Sequence, residues 1–354
     1  MTTLPQYALA PDYTIPQLIK GGWQLAGGHG AVDADAAIAD MTAFADAGFT
    51  AFDCADIYTG VEELIGRFLR EWRNTRGSDA PAIRVHTKCV PDLDKLPTLT
   101  RTDIEAIIDR SLRRLGVERL DLVQFHWWDY DIPGAVQAML YLHDLQRAGK
   151  IQHLGATNFD TQHITAMLDA GVPLVSHQVQ LSLLDARALG EMATLCTARG
   201  VGLLCYGALA GGFLHERWLD APEPAGPLEN RSLVKYKLII DDCGGWSLFQ
   251  RLLQLLHRVA TSHGTTIGAI AIRHVLDQPA VAAAIVGARS TAHLAPTLAA
   301  TALTLTPDER TALTTLLGER TGPLGDVYAL EREKGNRHAS IMRYNLNTTP
   351  AQTS

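Results

Sequence analysis

The sequence predicts a (β/α)8 barrel that forms a single domain over residues 1–354, and three observations support this prediction. Short runs of strand-forming residues alternate with longer helical patterns along the chain. Most of these runs are apolar at nearly every position, as in parallel strands that are covered on both faces. Eight such runs are present, and repeated βα units of that number favour a closed barrel over an open sheet.

The strand predictions rest on short runs that are bounded by turn residues. The length of 354 residues does not require two domains, because a barrel can absorb about 250 residues or more. In chain order, the predicted strands are Leu18–Gly22, Thr50–Ala55, Arg84–Val90, Leu120–His126, His153–Thr157, Ser176–Leu181, Gly202–Tyr206 and Ala283–Gly287.

The segments between these strands have the period of amphipathic helices. Residues 61–72 read VEELIGRFLREW, in which the apolar residues form a single stripe along one helix face. A helix before this segment is expected to begin after a cap at Asp33 and to end at Gly48. A further helix is expected to follow Asp103 and to stop at Gly116.

Two segments interrupt the alternation of strands and helices. Residues 215–245 are rich in Pro and Gly and lie between the seventh strand and its helix, so they predict a lid-like inserted loop. Residues 319–354 form a C-terminal extension. Its first part is expected to pack over the barrel, and its polar end, NLNTTPAQTS, is expected to fray.

Composition excludes several classes of protein. The net charge is −7 and no dense stripe of Lys or Arg is present, so we expect no nucleic-acid partner. No apolar stretch reaches the ~18 residues of a membrane span, and the N-terminus does not have the pattern of a signal peptide. The five cysteines are scattered and far from any CxxC spacing. We therefore expect no metal site, no disulfide framework and a reducing, cytoplasmic location.

Four polar residues lie where three successive predicted strands end. They are Asp53 and Tyr58 at and after the second strand, Lys88 at the third and His126 at the fourth. Catalytic groups of such a barrel occupy this rim. Taken singly, each residue has an ordinary structural explanation, although Lys88 near the end of an apolar strand would be costly unless it were paired or used. Together they favour a catalytic site.

These residue types suit the reduction of a carbonyl group. Hydride attack on the carbonyl carbon turns its oxygen into an alkoxide, which needs a proton, and a tyrosine holds one at neutral pH. We expect the Lys88 ammonium to lower the pKa of Tyr58, and Asp53 to keep that ammonium in place. We expect His126 to donate a second hydrogen bond to the developing oxyanion.

The motifs around these residues resemble those of the aldo-keto reductases. The resemblance runs from about Leu18 to Leu317, in the family's order, through AFDCADIYTGVEELIG, VHTKCV, IDRSLRRLGVERLDLVQFH and KIQHLGATNF. It implies that Asp53, Tyr58, Lys88 and His126 form the catalytic tetrad. Thr59 departs from the pattern, because the family usually has Gly directly after the tyrosine.

The resemblance also implies a site for a nicotinamide cofactor. Asn158 and Gln178 match the family positions that hold the nicotinamide carboxamide, which offers both a donor and an acceptor. Tyr206 matches the aromatic residue that stacks on the nicotinamide ring. The further positions implied as cofactor contacts are Trp23, Thr157, Gly207, Ala208, Leu209, Gly211, Gly287, Arg289, Ser290 and His293.

The adenosine end of this site favours NADP, and NAD remains the alternative. No GxGxxG follows a strand, so no Rossmann domain is indicated. Arg289 and Ser290 suit a 2′-phosphate, because a guanidinium matches phosphate geometry. His293, Pro296 and Thr297 differ from the residues that the family usually carries there.

The substrate is expected to be a small aldehyde or ketone, or the corresponding alcohol, with a sugar among the candidates. Trp23, Trp127 and Trp128 follow predicted strands and are expected to form an apolar wall over the nicotinamide. Two further functions stay open at this stage. One is a cofactor-binding regulatory protein with little turnover, and the other is a Schiff-base lyase that uses Lys88 as its nucleophile.

Overall fold

The computed structural model describes residues 4–26, 32–77, 80–288 and 290–347, and it confirms the (β/α)8 barrel. Eight parallel strands close into one barrel in the order β10-β3-β4-β5-β6-β7-β8-β9. The strands of the chain are β1 Gln6–Ala10, β2 Tyr13–Pro16, β3 Leu18–Gly21, β4 Ala51–Asp53, β5 Arg84–Cys89, β6 Leu120–Phe125, β7 Ile151–Thr157, β8 Leu174–Gln180, β9 Gly202–Tyr206 and β10 Val281–Gly287.

Helices connect each barrel strand to the next and surround the barrel. They are α1 Ala34–Asp46, α2 Val61–Arg76, α3 Arg101–Leu115, α4 Ala135–Arg147, α5 Thr161–Asp169, α6 Glu191–Arg199, α7 Arg231–Cys243, α8 Gly245–Ser262, α9 Ile267–Leu276, α10 Leu294–Ala302, α11 Pro307–Leu317 and α12 Ala329–Arg332. In the described part of the chain, no helix combines the length and the apolar character that crossing a bilayer requires.

The helix signals in the sequence are largely confirmed. The Asp33 carboxylate accepts hydrogen bonds from two amides of the first turn of α1, and the predicted apolar stripe of α2 faces the core. Helix α3 begins two residues before Asp103, because Thr100 and Asp103 form a reciprocal capping box. Asp103 is therefore the third residue of α3, and the helix does not begin after it as expected.

A hairpin of β1 and β2, which is not among the predicted elements, precedes the barrel. Tyr13 and Ile15 of this hairpin are fully buried among barrel residues such as Leu204 at the N-terminal end of the strands. Gly202, at the start of β9, allows the approach, because a Cβ atom there would overlap Leu9. The hairpin therefore covers the end of the barrel opposite to the predicted active site.

The predicted loop over residues 215–245 is largely helical. Asn230 caps α7, and the buried residues of α7 recur with helical spacing at Leu233, Tyr236 and Ile240. This segment was expected to be a loop, and its part over Arg231–Cys243 is instead the helix α7. The Pro and Gly residues cluster before α7. Their number in the segment favoured a loop, although the apolar residues that follow them have helical spacing.

The C-terminal extension lies over the same rim as the predicted catalytic residues. It contains the short helix α12 and continues to a segment that is anchored on the loop after β5. The Asn347 side chain donates to the carbonyl of Val90 at 2.8 Å, and Asn345 accepts from the amide of Asp94 at 3.0 Å. The predicted fraying therefore does not apply to Asn345 and Asn347, whose side chains have partners. Residues 348–354 lie outside the described residues.

Candidate active site

The four predicted catalytic residues lie together at the C-terminal end of the barrel. Asp53 ends β4, Lys88 lies near the end of β5, and His126 directly follows β6. Their exposed fractions are 4%, 5% and 3%, respectively. Tyr58 lies in the loop after β4 and is half-buried. Parallel pairing of neighbouring strands brings these separate segments to one rim.

Lys88 is held as a buried cation. Its Nζ donates to Asp53 Oδ2 at 2.7 Å and to the carbonyl oxygen of Cys54 at 2.8 Å. Burial lowers the pKa of the Lys88 ammonium, but Asp53 and Tyr58 outweigh this effect and raise that pKa above its usual value. A lysine in this state keeps its proton, which makes it a poor nucleophile.

Asp53 is fixed from both sides. Its Oδ1 accepts from Gln124 Nε2 at 2.9 Å and from Gln178 Nε2 at 2.6 Å, while its Oδ2 accepts from Lys88. The three donors stabilise the carboxylate inside the barrel, where an unpaired charge would be costly. Gln124 is not among the predicted site residues, although an amide in the apolar run of β6 is itself a signal.

Tyr58 lies between the Lys88 cation and an aromatic neighbour. Lys88 Nζ is 5.3 Å from the centroid of the Tyr58 ring, and the Trp23 ring meets that ring edge-on at 5.1 Å between centroids. Burial raises the pKa of the Tyr58 hydroxyl, and Lys88 opposes this effect only in part. The expected lowering of this pKa is thus wrong, because desolvation outweighs the nearby cation.

The structure changes the expected role of His126. Its Nδ1 lies 3.0 Å from the carbonyl oxygen of Thr157, which can only accept, so Nδ1 carries the proton. Burial and the Arg332 cation lower the pKa of His126 to about 3. The ring is therefore neutral at working pH, and its Nε2 is a hydrogen-bond acceptor rather than the predicted donor. That Nε2 is buried without a partner among the described residues.

These pKa values predict a flat pH profile for carbonyl reduction. His126 titrates near pH 3, and the pKa of Tyr58 lies above its usual value of about 10. Reduction needs protonated Tyr58, so kcat/KM should be constant from about pH 5 to 8 and fall only near or above pH ~10. Alcohol oxidation needs the deprotonated form, and its rate should rise with pH.

Initial rates in both directions, at saturating cofactor, would measure these profiles. An inflection of the reduction rate in the neutral range that His126→Gln removes would contradict the neutral state of His126.

The nicotinamide end offers both a donor and an acceptor. Asn158 Oδ1 accepts from the Tyr206 hydroxyl at 2.8 Å, which leaves the Asn158 amide nitrogen as a donor. Gln178 Nε2 is already bonded to Asp53 and to Gln124 Oε1, which leaves the Gln178 oxygen as an acceptor. This complementary pair fits a carboxamide, whose own groups are one donor and one acceptor. The half-buried Tyr206 ring fits a stacking role.

The glycine-rich run after β9 has a structural explanation. Gly207 and Gly211 have φ values of +81° and +64°, and a Cβ atom on either would overlap Tyr236 of α7. Ala208 is buried, and Leu209 packs against the core. The packing of α7 therefore accounts for the two glycines, and a role for this backbone in cofactor binding stays a prediction.

The adenosine end is the most open part of the predicted site. Arg289 lies outside the described residues. Ser290 and His293 are exposed, and the Ser290 hydroxyl accepts from a backbone amide of the next turn. The Gln24 amide overlies Gly287 so closely that a Cβ atom could not be accommodated there. The oxygen of Gln24 is buried without a partner among the described residues, so it can accept a further hydrogen bond.

The tryptophans after β6 differ in their surroundings. Trp127 is 1% exposed, and its Nε1 donates to two carbonyl groups of its own loop, so the prediction that it lines the substrate pocket is wrong. Trp128 is half-buried and meets the His126 ring edge-on at 4.4 Å between centroids. Tyr328 and Tyr344 of the C-terminal extension contact His126 and Trp128, respectively. These two tyrosines are not among the predicted site residues.

Known proteins are similar to this chain in sequence or in fold. Flagellar radial spoke protein 5 from Chlamydomonas reinhardtii is 27% identical over 63% of this chain, and the chain spans only about half of that relative (49%). The chloroplastic pyridoxal reductase of Arabidopsis thaliana is 29% identical, over 75% of this chain and 72% of the reductase. The structure of a glycerol dehydrogenase from Gluconobacter oxydans superimposes with a TM-score of 0.74, at 25% identity, over 90% of this chain and 97% of that one.

The model of the Aldo/keto reductase family matches residues 17–317, which include all the barrel strands and the four residues at their rim. The resemblance drawn from the sequence motifs is thereby confirmed. This chain belongs to the aldo/keto reductase family.

Proposed function

We propose that this protein interconverts a small hydroxylated aldehyde or ketone, such as a sugar, and its alcohol with NADP(H), and that Tyr58 is the general acid and base. The observation that carries this proposal is the arrangement of Tyr58 over the buried ion pair of Lys88 and Asp53. Because the pKa of Tyr58 is raised, its hydroxyl is protonated at neutral pH and can donate that proton to the substrate oxygen as negative charge develops there.

Each residue of the site has a separate task in this mechanism. When bound, a nicotinamide cofactor would supply the hydride for reduction or accept it in oxidation. Tyr58 donates its proton to the substrate oxygen during reduction and takes it back during oxidation. The Lys88 cation stabilises the phenolate that remains, and Asp53 holds that cation within reach. Asn158 and Gln178 would hold the carboxamide, and Tyr206 would hold the face of the nicotinamide ring.

The neutral His126 favours a hydroxylated substrate. Its Nε2 can accept a hydrogen bond but cannot donate one in this tautomer. A hydroxyl group next to the substrate carbonyl would donate a hydrogen bond to this nitrogen. A substrate without that hydroxyl would leave the buried Nε2 unpaired, and such a site discriminates strongly against it. Pyridoxal reductase and glycerol dehydrogenase, the names of two similar proteins, also refer to small carbonyl or alcohol compounds.

The state of Lys88 argues against the Schiff-base alternative. A nucleophilic lysine must lose its proton, whereas the ion pair with Asp53 raises the pKa of Lys88. The ion pair of Lys88 and Asp53 beneath Tyr58 is intact, as an active enzyme requires. Among the described residues, no feature favours a regulatory protein with little turnover.

Parallel titrations with NADPH and NADH test the cofactor assignment. We expect saturable quenching of tryptophan fluorescence by both, with tighter binding of NADPH. Arg289→Ala should raise the Kd for NADPH by about tenfold, because a charged hydrogen bond to the 2′-phosphate is lost. The Kd for NADH should change little. Equal effects on both cofactors would remove the argument for NADP, and no binding of either by the folded protein would refute the proposed function.

A further inference from the structure

Arg332 at the end of α12 reaches the ends of two barrel strands. Its Nη1 donates to the carbonyl oxygen of Asn158 at 2.6 Å, and its Nη2 donates to that of Trp127 at 2.7 Å. The family model ends at residue 317, so this contact comes from a part of the chain beyond the match. One guanidinium group therefore joins the C-terminal extension to the segments that follow β6 and β7.

Both carbonyl groups belong to residues next to the reacting centre. Trp127 directly follows His126, and Asn158 directly follows Thr157, whose carbonyl accepts the His126 proton. Asn158 has a φ of +60°, in the left-handed region, which asparagine adopts more readily than most residues with a side chain. Its backbone amide is bonded to Gln178 and its carbonyl to Arg332, so both of its polar backbone groups are held.

The position of Arg332 is itself well determined. Its guanidinium lies 4.2 Å from the centroid of the Tyr130 ring and 5.1 Å from that of the Tyr328 ring. The preceding residue, Glu331, is 2% exposed and forms a bidentate pair with Arg187 in the loop after β8. Among the described residues Arg332 forms no ion pair, so its contacts are carbonyl groups and aromatic rings.

We propose that Arg332 is a positioning residue that aligns His126 and Asn158, and that the C-terminal extension is thereby a working part of the active site. This proposal rests on the proposed function, which assigns His126 to the substrate and Asn158 to the cofactor. Displacing a catalytic or cofactor-binding group by about 1 Å can lower turnover 100-fold. The two hydrogen bonds of Arg332 to the segments after β6 and β7 therefore have a large effect on kcat.

The test compares Arg332→Ala with Lys334→Met in the full-length protein. Lys334 is a matched control, because its side chain is 72% exposed and, in the described part of the chain, pairs with the exposed Asp131 and the partly buried Asp129. We expect Arg332→Ala to lower kcat by about 100-fold and to raise the Kd for NADPH, and Lys334→Met to change neither. Millimolar guanidinium should restore part of the kcat of Arg332→Ala, because it can donate to both vacated carbonyls.

A second measurement reports on the alignment without turnover. In protein labelled with ¹⁵N at histidine, His126→Gln identifies the His126 ring resonances, which we expect to show protonation at Nδ1. Arg332→Ala should shift or broaden them, whereas Lys334→Met should not. If the alanine variant does not fold, Arg332→Lys serves in its place, since a lysine reaches only one of the carbonyls and should cause a smaller shift.

The outcomes separate the two proposals. Unchanged His126 resonances together with a wild-type Kd for NADPH in a folded Arg332 variant would overturn the positioning role. A loss of kcat that guanidinium leaves untouched would overturn it too. Failure of the proposed function would appear in the wild-type protein, as absence of cofactor binding or turnover, while the resonances would still respond to the Arg332 substitution.

Discussion

Replacing Tyr58 with phenylalanine is expected to lower kcat by about 100- to 10,000-fold in both directions. The substitution removes the only phenolic proton above the Lys88–Asp53 pair in the described site and keeps the ring. The ring contacts Trp23 and the Lys88 ammonium, so its shape continues to support the pocket. Initial rates with a hydroxylated aldehyde and with its alcohol would measure the loss.

Cofactor binding should survive this substitution, because the phenolic hydroxyl does not take part in the carboxamide contacts assigned to Asn158 and Gln178. The Kd for NADPH, from fluorescence titration, should stay within about twofold of the wild-type value. Tyr7→Phe is a suitable control, since Tyr7 lies in the hairpin at the opposite end of the barrel. Turnover by Tyr58→Phe at the wild-type rate would refute the proton-transfer role.

The barrel and the meeting of the four polar residues could be predicted because both depend on local patterns. Continuous apolar runs mark buried parallel strands, and a residue at the end of such a run must lie on the C-terminal rim once the barrel closes. Asp53, Lys88 and His126 each lie within one residue of a strand end, so their convergence follows from topology alone. No knowledge of side-chain contacts was needed.

The contribution of the C-terminal extension could not be predicted in this way. Tyr328 and Arg332 lie in the segment DVYALERE, which the sequence predicts to pack over the barrel without indicating which residues it contacts. Their roles depend on contacts with residues far away in the chain, such as Asn158 and His126. By contrast, Gln124 could have been identified, because an amide within a buried apolar strand is costly unless it is bonded.

The electrostatic errors have a common cause. The prediction for Tyr58 counted the nearby Lys88 cation but not the depth of the hydroxyl, and burial proved to be the larger effect. The prediction for His126 assumed a donor, whereas the carbonyl of Thr157 selects the opposite tautomer. The sign of a pKa shift depends on the balance between desolvation and neighbouring charges. A sequence shows neither how deeply a group is buried nor how far it lies from those charges.

The buried ion cluster around Arg187 leads to the largest expected change in stability. Arg187 bonds Asp185 through Nε and Nη2, at 3.0 and 2.8 Å, and Glu331 through Nη1 and Nη2, at 3.0 and 3.2 Å. Lys235 of α7 lies 3.8 Å from Glu331. Two cations thus balance two carboxylates, and the cluster joins the loop after β8, the inserted helix α7 and the C-terminal extension.

Arg187→Met is expected to lower the free energy of unfolding by about 3–5 kcal/mol, because it leaves two buried carboxylates with one cation. Denaturant unfolding would measure the loss. Arg199→Met is the matched control: its pair with Asp169 is exposed, and removing it should cost about 0–1 kcal/mol. Adding Glu331→Gln to Arg187→Met should recover part of the loss, because one uncompensated charge disappears.

The pH dependence of this loss gives an independent check. Burial raises the pKa of Glu331, but Lys235 and Arg187 outweigh this effect and lower it to about 2. A folded-state pKa below the unfolded value of about 4.3 stabilises the protein above that pH, and the contribution disappears as pH falls toward 2. The difference between wild type and Arg187→Met should therefore be largest near neutral pH and narrow below pH ~4. A difference that stays constant down to acid pH, or that is no larger than that of Arg199→Met, would mean that the cluster does not stabilise the fold through charge.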